Sequence, residues 1–236
     1  MTRKPLAGFA IGLAMAALAA CGHSGTTKTQ AKAPTPVPSP TPTPVATPAN
    51  AQQLTAHLPT TSDLPAGFSV QPMSYPGEQE PGVDPSPDCG SFIDGFSFVD
   101  LGGSAFAQAA VHLGGQDDTG SDWSGMEALL SYSGDGAHKT VEAIRKLVLR
   151  CPTGVDMDGN QVQFGVVDGA GVGDESLTVT ARATKKGDTH LSDNDVSIIR
   201  RDNVLITVAD YDDTVTGSSQ QLAAVTKLAD GKFTSR

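Results

Sequence analysis

Residues that carry chemistry are sparse in this chain: three cysteines, five histidines and one tryptophan in 236 residues. The histidines, His23, His57, His112, His138 and His190, stand alone, with no HExxH and no pair at helical spacing. Cysteines without paired histidines do not complete a zinc tetrahedron. No serine sits in a Gly-x-Ser-x-Gly elbow, so nothing specific points to a hydrolase. Gly169–Gly173 imitates a nucleotide loop but precedes a strand pattern instead of opening a helix. Asp156, Asp158 and Asn160 begin like a calcium loop, yet Gln161 and Val167 occupy the positions that require Gly and Glu. No catalytic residue, metal or cofactor is therefore expected. Basic residues are also few, 16 Lys and Arg against 26 Asp and Glu. That balance disfavours nucleic acid and anionic lipid headgroups, both of which are recognised through clustered cations.

Long apolar runs are missing too, with one short exception. Pro5–Ala20 is uncharged and follows Arg3 and Lys4. It falls short of the roughly 20 residues that span a bilayer, so a cleaved signal is expected over 1–20. Leu18 Ala19 Ala20 Cys21 closes the run and resembles the processing site of bacterial lipoproteins. That resemblance implies a diacylglyceryl group on Cys21, acyl chains of the palmitate class, and a mature N-terminus at Cys21. Ordinary cleavage after Ala17 Leu18 Ala19, which would release a soluble protein, is the competing reading. Removal of Arg3 and Lys4 leaves 14 basic against 26 acidic residues, a formal −12. Attachment to the extracytoplasmic side of the cell membrane then has to come from the lipid, and two acyl chains hold where one is marginal.

Residues 21–52 are expected to be the lipidated cysteine and a disordered tether. From Ala33 to Pro44 proline recurs at every second position, which forbids helix and sheet and favours extended polyproline II. At about 3.1 Å per residue, some 28 residues reach up to roughly 90 Å. Its alternating Thr and Pro also suit O-glycans.

Residues 53–236 are enough for one domain with a single core. Ser62 or Asp63 is expected to cap a short turn, and a strand to follow at Phe68–Gln71. Met73–Asp88 reads as a loop delivering Cys89, followed by a turn through Phe92 and Ile93. Ala105–Leu113 reads as a strand and Gly114–Gly125 as an acidic loop carrying Trp123. Glu127–Ser133 reads as a strand, then Asp135 caps a helix over Ala137–Arg150 with Val141, Ile144, Leu147 and Val148 on one face. Val162, Phe164 and Val166 alternate with polar residues, as do Leu177, Val179 and Ala181. Val196–Arg201 and Val204–Asp210 form a hairpin about Asp202 and Asn203. Ser218 with Gln221 makes a capping box for a last helix, whose Leu222, Val225 and Leu228 face the core before Gly231 stops it. Strands that follow one another without helical crossovers imply an α+β domain, a mostly antiparallel sheet with helices packed on one face.

With Cys21 assigned to lipid, Cys89 and Cys151 remain as an even pair in an oxidising compartment. One disulfide is expected, two buried free thiols being the alternative. Trp123, amid Asp117, Asp118 and Asp122, is either a core plug or an aromatic platform for a ligand. Asp210, Asp212 and Asp213 are read as solvated charges protecting a sheet edge, with cation binding as the alternative.

Leu64–Phe68 (Leu Pro Ala Gly Phe), an early cysteine, a helix ending in Cys Pro and Val172–Ser176 (Val Gly Asp Glu Ser) opening a strand occur in an order that resembles actinobacterial cell-envelope lipoproteins. These are similar to the extracellular sensor domain of PknH-type serine/threonine kinases. The resemblance implies a non-enzymatic, disulfide-stapled domain that binds or senses a ligand. Those sensors carry a second disulfide, for which this chain has no cysteines. The expected function is thus a membrane-anchored lipoprotein with a non-catalytic binding or sensor-like domain for a small-molecule, cell-wall or envelope-protein ligand. A docking module for envelope proteins or wall polymer ranks second and an envelope hydrolase last.

Overall fold

The computed structural model describes residues 47–73, 89, 105–116, 122–156, 159–184, 191–211 and 218–234, with the backbone alone for 191, 192 and 218–220. Cys21, the tether up to residue 46, the turn at Phe92 and Ile93, His23, His190, Asp117, Asp118, Asp158, Asp212, Asp213, the Ser218 side chain and nearly all of the Met73–Asp88 loop lie outside these residues.

Eight strands form one sheet: β1 (Phe68–Met73), β2 (Ala107–Gln116), β3 (Asp122–Ser131), β4 (Thr153–Val155), β5 (Gln161–Asp168), β6 (Glu175–Thr184), β7 (Leu191–Arg201) and β8 (Val204–Asp210). Their order is β1-β2-β3-β8-β7-β6-β5-β4, and every neighbouring pair is antiparallel. Among the described residues, three α-helices longer than a single residue accompany it: α1 (Ala51–Thr55), α2 (Gly136–Arg150) and α3 (Ser218–Thr234). The α+β class expected from the strand pattern is what the chain forms. The helices, however, divide between the two faces. Along β3, Met126, Ala128 and Leu130 join the core that α2 closes with Val141, Ile144 and Leu147. Leu129, one residue out of phase, joins the core that Leu54 of α1 and Leu222, Val225 and Ala229 of α3 close on the other side.

That division explains where period-two alternation is visible. Beneath α2, Val162 and Phe164 of β5 and Leu177, Val179 and Ala181 of β6 are buried, while their alternates Gln161, Gln163, Thr178 and Thr180 are exposed or half-buried. α3 packs on β7 and β8 and leaves the outer strands open on that side. Strand β8, covered on both sides, is buried at all seven positions.

Local chemistry sets the helix ends. Asn50 accepts from Gln53 N at 3.0 Å while the Gln53 side chain accepts from Asn50 N at 2.9 Å, a reciprocal cap. Five residues are too few to stand as a helix unaided, and the fully buried Leu54 pins this one to the sheet. Asp135 begins α2 but makes no cap bond, because its backbone is not extended (φ −93, ψ 15); its carboxylate pairs with Lys139 at 2.9 Å instead. Cys151 ends α2 and bonds Cys89, with Cα atoms 5.5 Å apart, so the expected disulfide is present. Gly231 does not stop α3, which runs on to Thr234 and keeps Lys232 and Phe233 helical. Leu228 is half-buried, and Ala229 takes the core position beside it. At the hairpin, Asp202 takes a positive φ of 48, as the tight turn requires.

Gly169–Gly173 is a turn into β6, with Gly171 and Gly173 at φ 68 and 73. A Cβ on Gly173 would meet Ile199 Cγ2 and, at 2.7 Å, the Arg200 carbonyl, whereas one on Gly171 meets nothing. Gly173→Ala therefore combines left-handed strain with a clash against a fully buried side chain and costs about 2 kcal/mol, against about 1 kcal/mol for Gly171→Ala. Urea unfolding of the two variants side by side measures the difference, and equal losses would mean that the Ile199 contact yields freely.

Candidate functional site

Odd-numbered residues of β3 share the face beneath α1 and α3. In order they are Trp123, Gly125, Glu127, Leu129 and Ser131. Glu127 stands opposite Val111 of β2 and Val208 of β8, and both valines belong to the core that α1 and α3 seal. Its exposure is 0 %, and neither carboxyl oxygen has a hydrogen-bond partner. An acid in that position keeps its proton. Desolvation pushes the Glu127 carboxyl up to about 8, and the positive charge of Lys232 offsets only part of the effect. Asp210 of β8 pairs in register with Gly125, which puts it diagonal to Glu127 on the same face at about 7 Å between Cα atoms. It too is buried. The sequence reading of Asp210 as a solvated edge charge is corrected here: β8 lies between β3 and β7 at the middle of the sheet, so its end is an interior position.

Trp123 lies within β3, not in the loop expected over Gly114–Gly125; β2 runs to Gln116 and β3 resumes at Asp122. Its indole folds over Gly125, where a Cβ would come within 2.7 Å of Cζ2, and packs 6.0 Å from the Phe68 ring. Across the ladder is Gly115, whose absent side chain makes room for Phe68. At 2 % exposure Trp123 presents no ring face to solvent. It is a core plug of this face rather than an open stacking platform, and its Nε1 is a further buried donor without a partner, as Ser131 Oγ is a buried hydroxyl without one. His57, just past α1, stacks on Phe233 of α3 with ring centroids 4.8 Å apart.

Two ion pairs hold α3 over this face. Asp230 grips Arg201 through two bonds of 2.7 and 2.8 Å. Near the helix end Lys232 bonds Asp63, whose carboxylate also accepts from Thr60 N at 2.7 Å and from the Thr60 hydroxyl. The Asp63 carboxylate thus closes the Thr61–Asp63 turn back onto Thr60 and also serves as the anchor for α3. These donors, Lys232 foremost, hold the Asp63 carboxyl well below the usual carboxylate range. Asp63→Asn removes the charge and costs about 1 kcal/mol, the contribution of a charge-assisted surface pair. A urea midpoint unchanged from wild type would show that water replaces the pair without loss.

Elsewhere the polar groups form supports. Glu175 gathers His138 at 3.2 Å, Arg200 at 3.4 Å and Arg145 at 3.5 Å at the surface of the α2 side. Arg182 of β6 clasps Asp195 at 2.6 Å and Asp193 at 3.0 Å. His112 Nε2 lies 3.1 Å from Ser124 Oγ across β2 and β3. Among the described residues no carboxylate orients that imidazole, so the pair lacks the third member that a nucleophilic serine needs. Asp156 closes the β4–β5 turn by accepting from Asn160 N and Nδ2, both at 2.8 Å. No group of three metal-binding side chains occurs among the described residues. No helix among them is long and apolar enough to cross a membrane.

Sequence reasoning missed Glu127. A signal was there: between Trp123 and Tyr132 it is the sole charged residue.

No protein family is matched by the chain, and no characterised relative matches it. Among solved structures it is similar to the extracellular domain of PknH from Mycobacterium tuberculosis, with a TM-score of 0.50 and 16 % identity, covering 79 % of this chain and 98 % of that one. At this identity the likeness is one of fold, and at that level the expected resemblance to PknH-type sensor domains holds.

Proposed function

We propose that this chain is a membrane-anchored cell-envelope lipoprotein whose domain binds or senses a ligand and carries out no catalysis. The observation that carries the reading is the buried, unpartnered carboxyl of Glu127 beneath α1 and α3. A buried polar atom without a partner costs about 1–3 kcal/mol, and a face that keeps several is constructed for something other than stability. Glu127, Trp123 and Ser131 supply them from alternate positions of one strand, and α1 and α3 form the cover that a ligand would displace. Likeness of fold to a domain that is extracellular in PknH supports an extracytoplasmic placement and a sensor-like role. Leu18–Cys21 supports the lipid, and the acidic balance supports a partner other than nucleic acid.

Native mass spectrometry of the full chain, taken from its own host in mild detergent, tests the binding role. A co-purifying small molecule is expected, and a clean apo mass under gentle conditions counts against it. The anchor is tested separately. Cys21→Ser moves the protein out of the membrane fraction, and a Cys21→Ser variant that stays there with its signal removed refutes lipid attachment.

A further inference from the structure

We propose that Glu127 is a proton latch: while it holds its proton, α3 stays closed on the sheet, and when the proton leaves to solvent, α3 swings away and uncovers the face. The inference rests on the reading of this face as the ligand site and adds how that site is regulated.

Glu127 is wholly buried between Val111 and Val208, with Leu129 beside it and no hydrogen-bond donor on either oxygen. A carboxylate there has no solvation, so ionisation requires either water or a cation to reach it. The charged groups around it leave one route. From β8, Asp210 shares the face and offers Glu127 no cation. From β7, Asp195 lies farther along the same face and is already held by Arg182 of β6. On β2 the residues of this face, Ala107, Ala109, Val111, Leu113 and Gly115, carry no charge. His57, behind α1, is stacked on Phe233. On α3, Asp230 is held by Arg201 and Lys227 is exposed, which leaves Lys232 as the cation whose field reaches Glu127. Lys232 is bonded to Asp63. An ionised Glu127 therefore competes with Asp63 for the same ammonium, and Lys232 cannot turn inward without loosening the pair that ties the end of α3 to the Thr61–Asp63 turn. Proton loss is thereby coupled to release of the helix.

Opening relieves the burial that holds the proton, so it becomes easier as pH rises from the ordinary carboxylate range toward the raised value of Glu127. Hydrogen exchange of the purified full chain, read by mass spectrometry and corrected for the chemical rate at each pH, measures this. Amides of Leu222–Asp230 should lose more than about tenfold of their protection between about pH 6 and about pH 9, while those of α2 keep theirs. Glu127→Gln and, should the amide fold poorly, Glu127→Met should abolish the loss. Lys232→Met breaks the Asp63 pair and lowers the protection of α3 already at about pH 6, and with the offsetting charge gone the further loss toward about pH 9 is at least as large as in wild type. A wild-type profile flat in pH, an α2 that opens in parallel with α3, or a Glu127→Gln protein with an unchanged pH response would each overturn the latch. A flat profile with a ligand still co-purifying removes the latch alone; a pH-dependent α3 with a clean apo mass removes the ligand and leaves the latch standing.

Discussion

Paired substitution of Cys89 and Cys151 by serine lowers the free energy of unfolding by about 4 kcal/mol. The two residues are 62 apart in sequence, and closing a loop of that length removes chain entropy from the unfolded state on the order of this amount. Cys151 stands where α2 ends, buried at the rim of the core formed by Met126, Ala128 and Leu130. The bond therefore ties the segment arriving at Cys89 to a helix end already fixed by packing. Because typical domains hold only about 5–15 kcal/mol, the loss amounts to a large part of the total. Urea unfolding of the oxidised protein, the reduced protein and the double variant measures it. Curves that coincide with and without reductant would show that packing alone sets the stability.

Glu127→Gln removes most of the alkaline decline in stability. In the folded protein Glu127 holds its proton up to about 8, against 4.5 for an unhindered glutamate. A raised folded-state value means that the contribution is complete below the unfolded value and is lost as pH climbs between the two. At about 1.4 kcal/mol per unit, the decline between about pH 5 and about pH 8 is on the order of 3 kcal/mol. Asp63 runs the opposite way. Its lowered value contributes stability above the ordinary carboxylate range and withdraws it as pH falls through that range. The wild-type domain is thus most stable in mild acid, with a decline on each side for a different residue. Unfolding midpoints across this range should show the alkaline limb flattened by Glu127→Gln and the acid limb flattened by Asp63→Asn. An alkaline limb that persists in Glu127→Gln would assign the decline to another group.

Much of the secondary structure was legible because its causes are local. The amphipathic spacing of Val141, Ile144, Leu147 and Val148 defines α2, and the alternation of Leu177, Val179 and Ala181 defines β6, since each of these elements buries one side and wets the other. Asp202 and Asn203 marked the hairpin through their tolerance of a positive φ. β3 misled because it is a middle strand. Trp123, Glu127 and Ser131 on one side and Met126, Ala128 and Leu130 on the other are all buried, so no alternation reports which side a residue takes. The stop expected at Gly231 failed for a similar reason: the Lys232–Asp63 pair and the stacking of Phe233 on His57 hold the last turn together against a weak helix former.

The amino-acid sequence by itself determined the parts whose physics acts within a few residues: most strands, α2, the tight turn, and an exclusion of the familiar metal and nucleotide motifs. Its cysteine count also pointed to the one disulfide. Tertiary structure alone decided that helices cover both faces, that β8 lies at the middle of the sheet, and that Asp210 is interior rather than at an edge. It alone brought Asp63 to Lys232 across 169 residues and enclosed Glu127 between two valines. The reason is register. Pairing β3 with a strand some 80 residues later fixes which side chains share a face, and burial, the property that makes Glu127 hold a proton, belongs to that face and not to the residue.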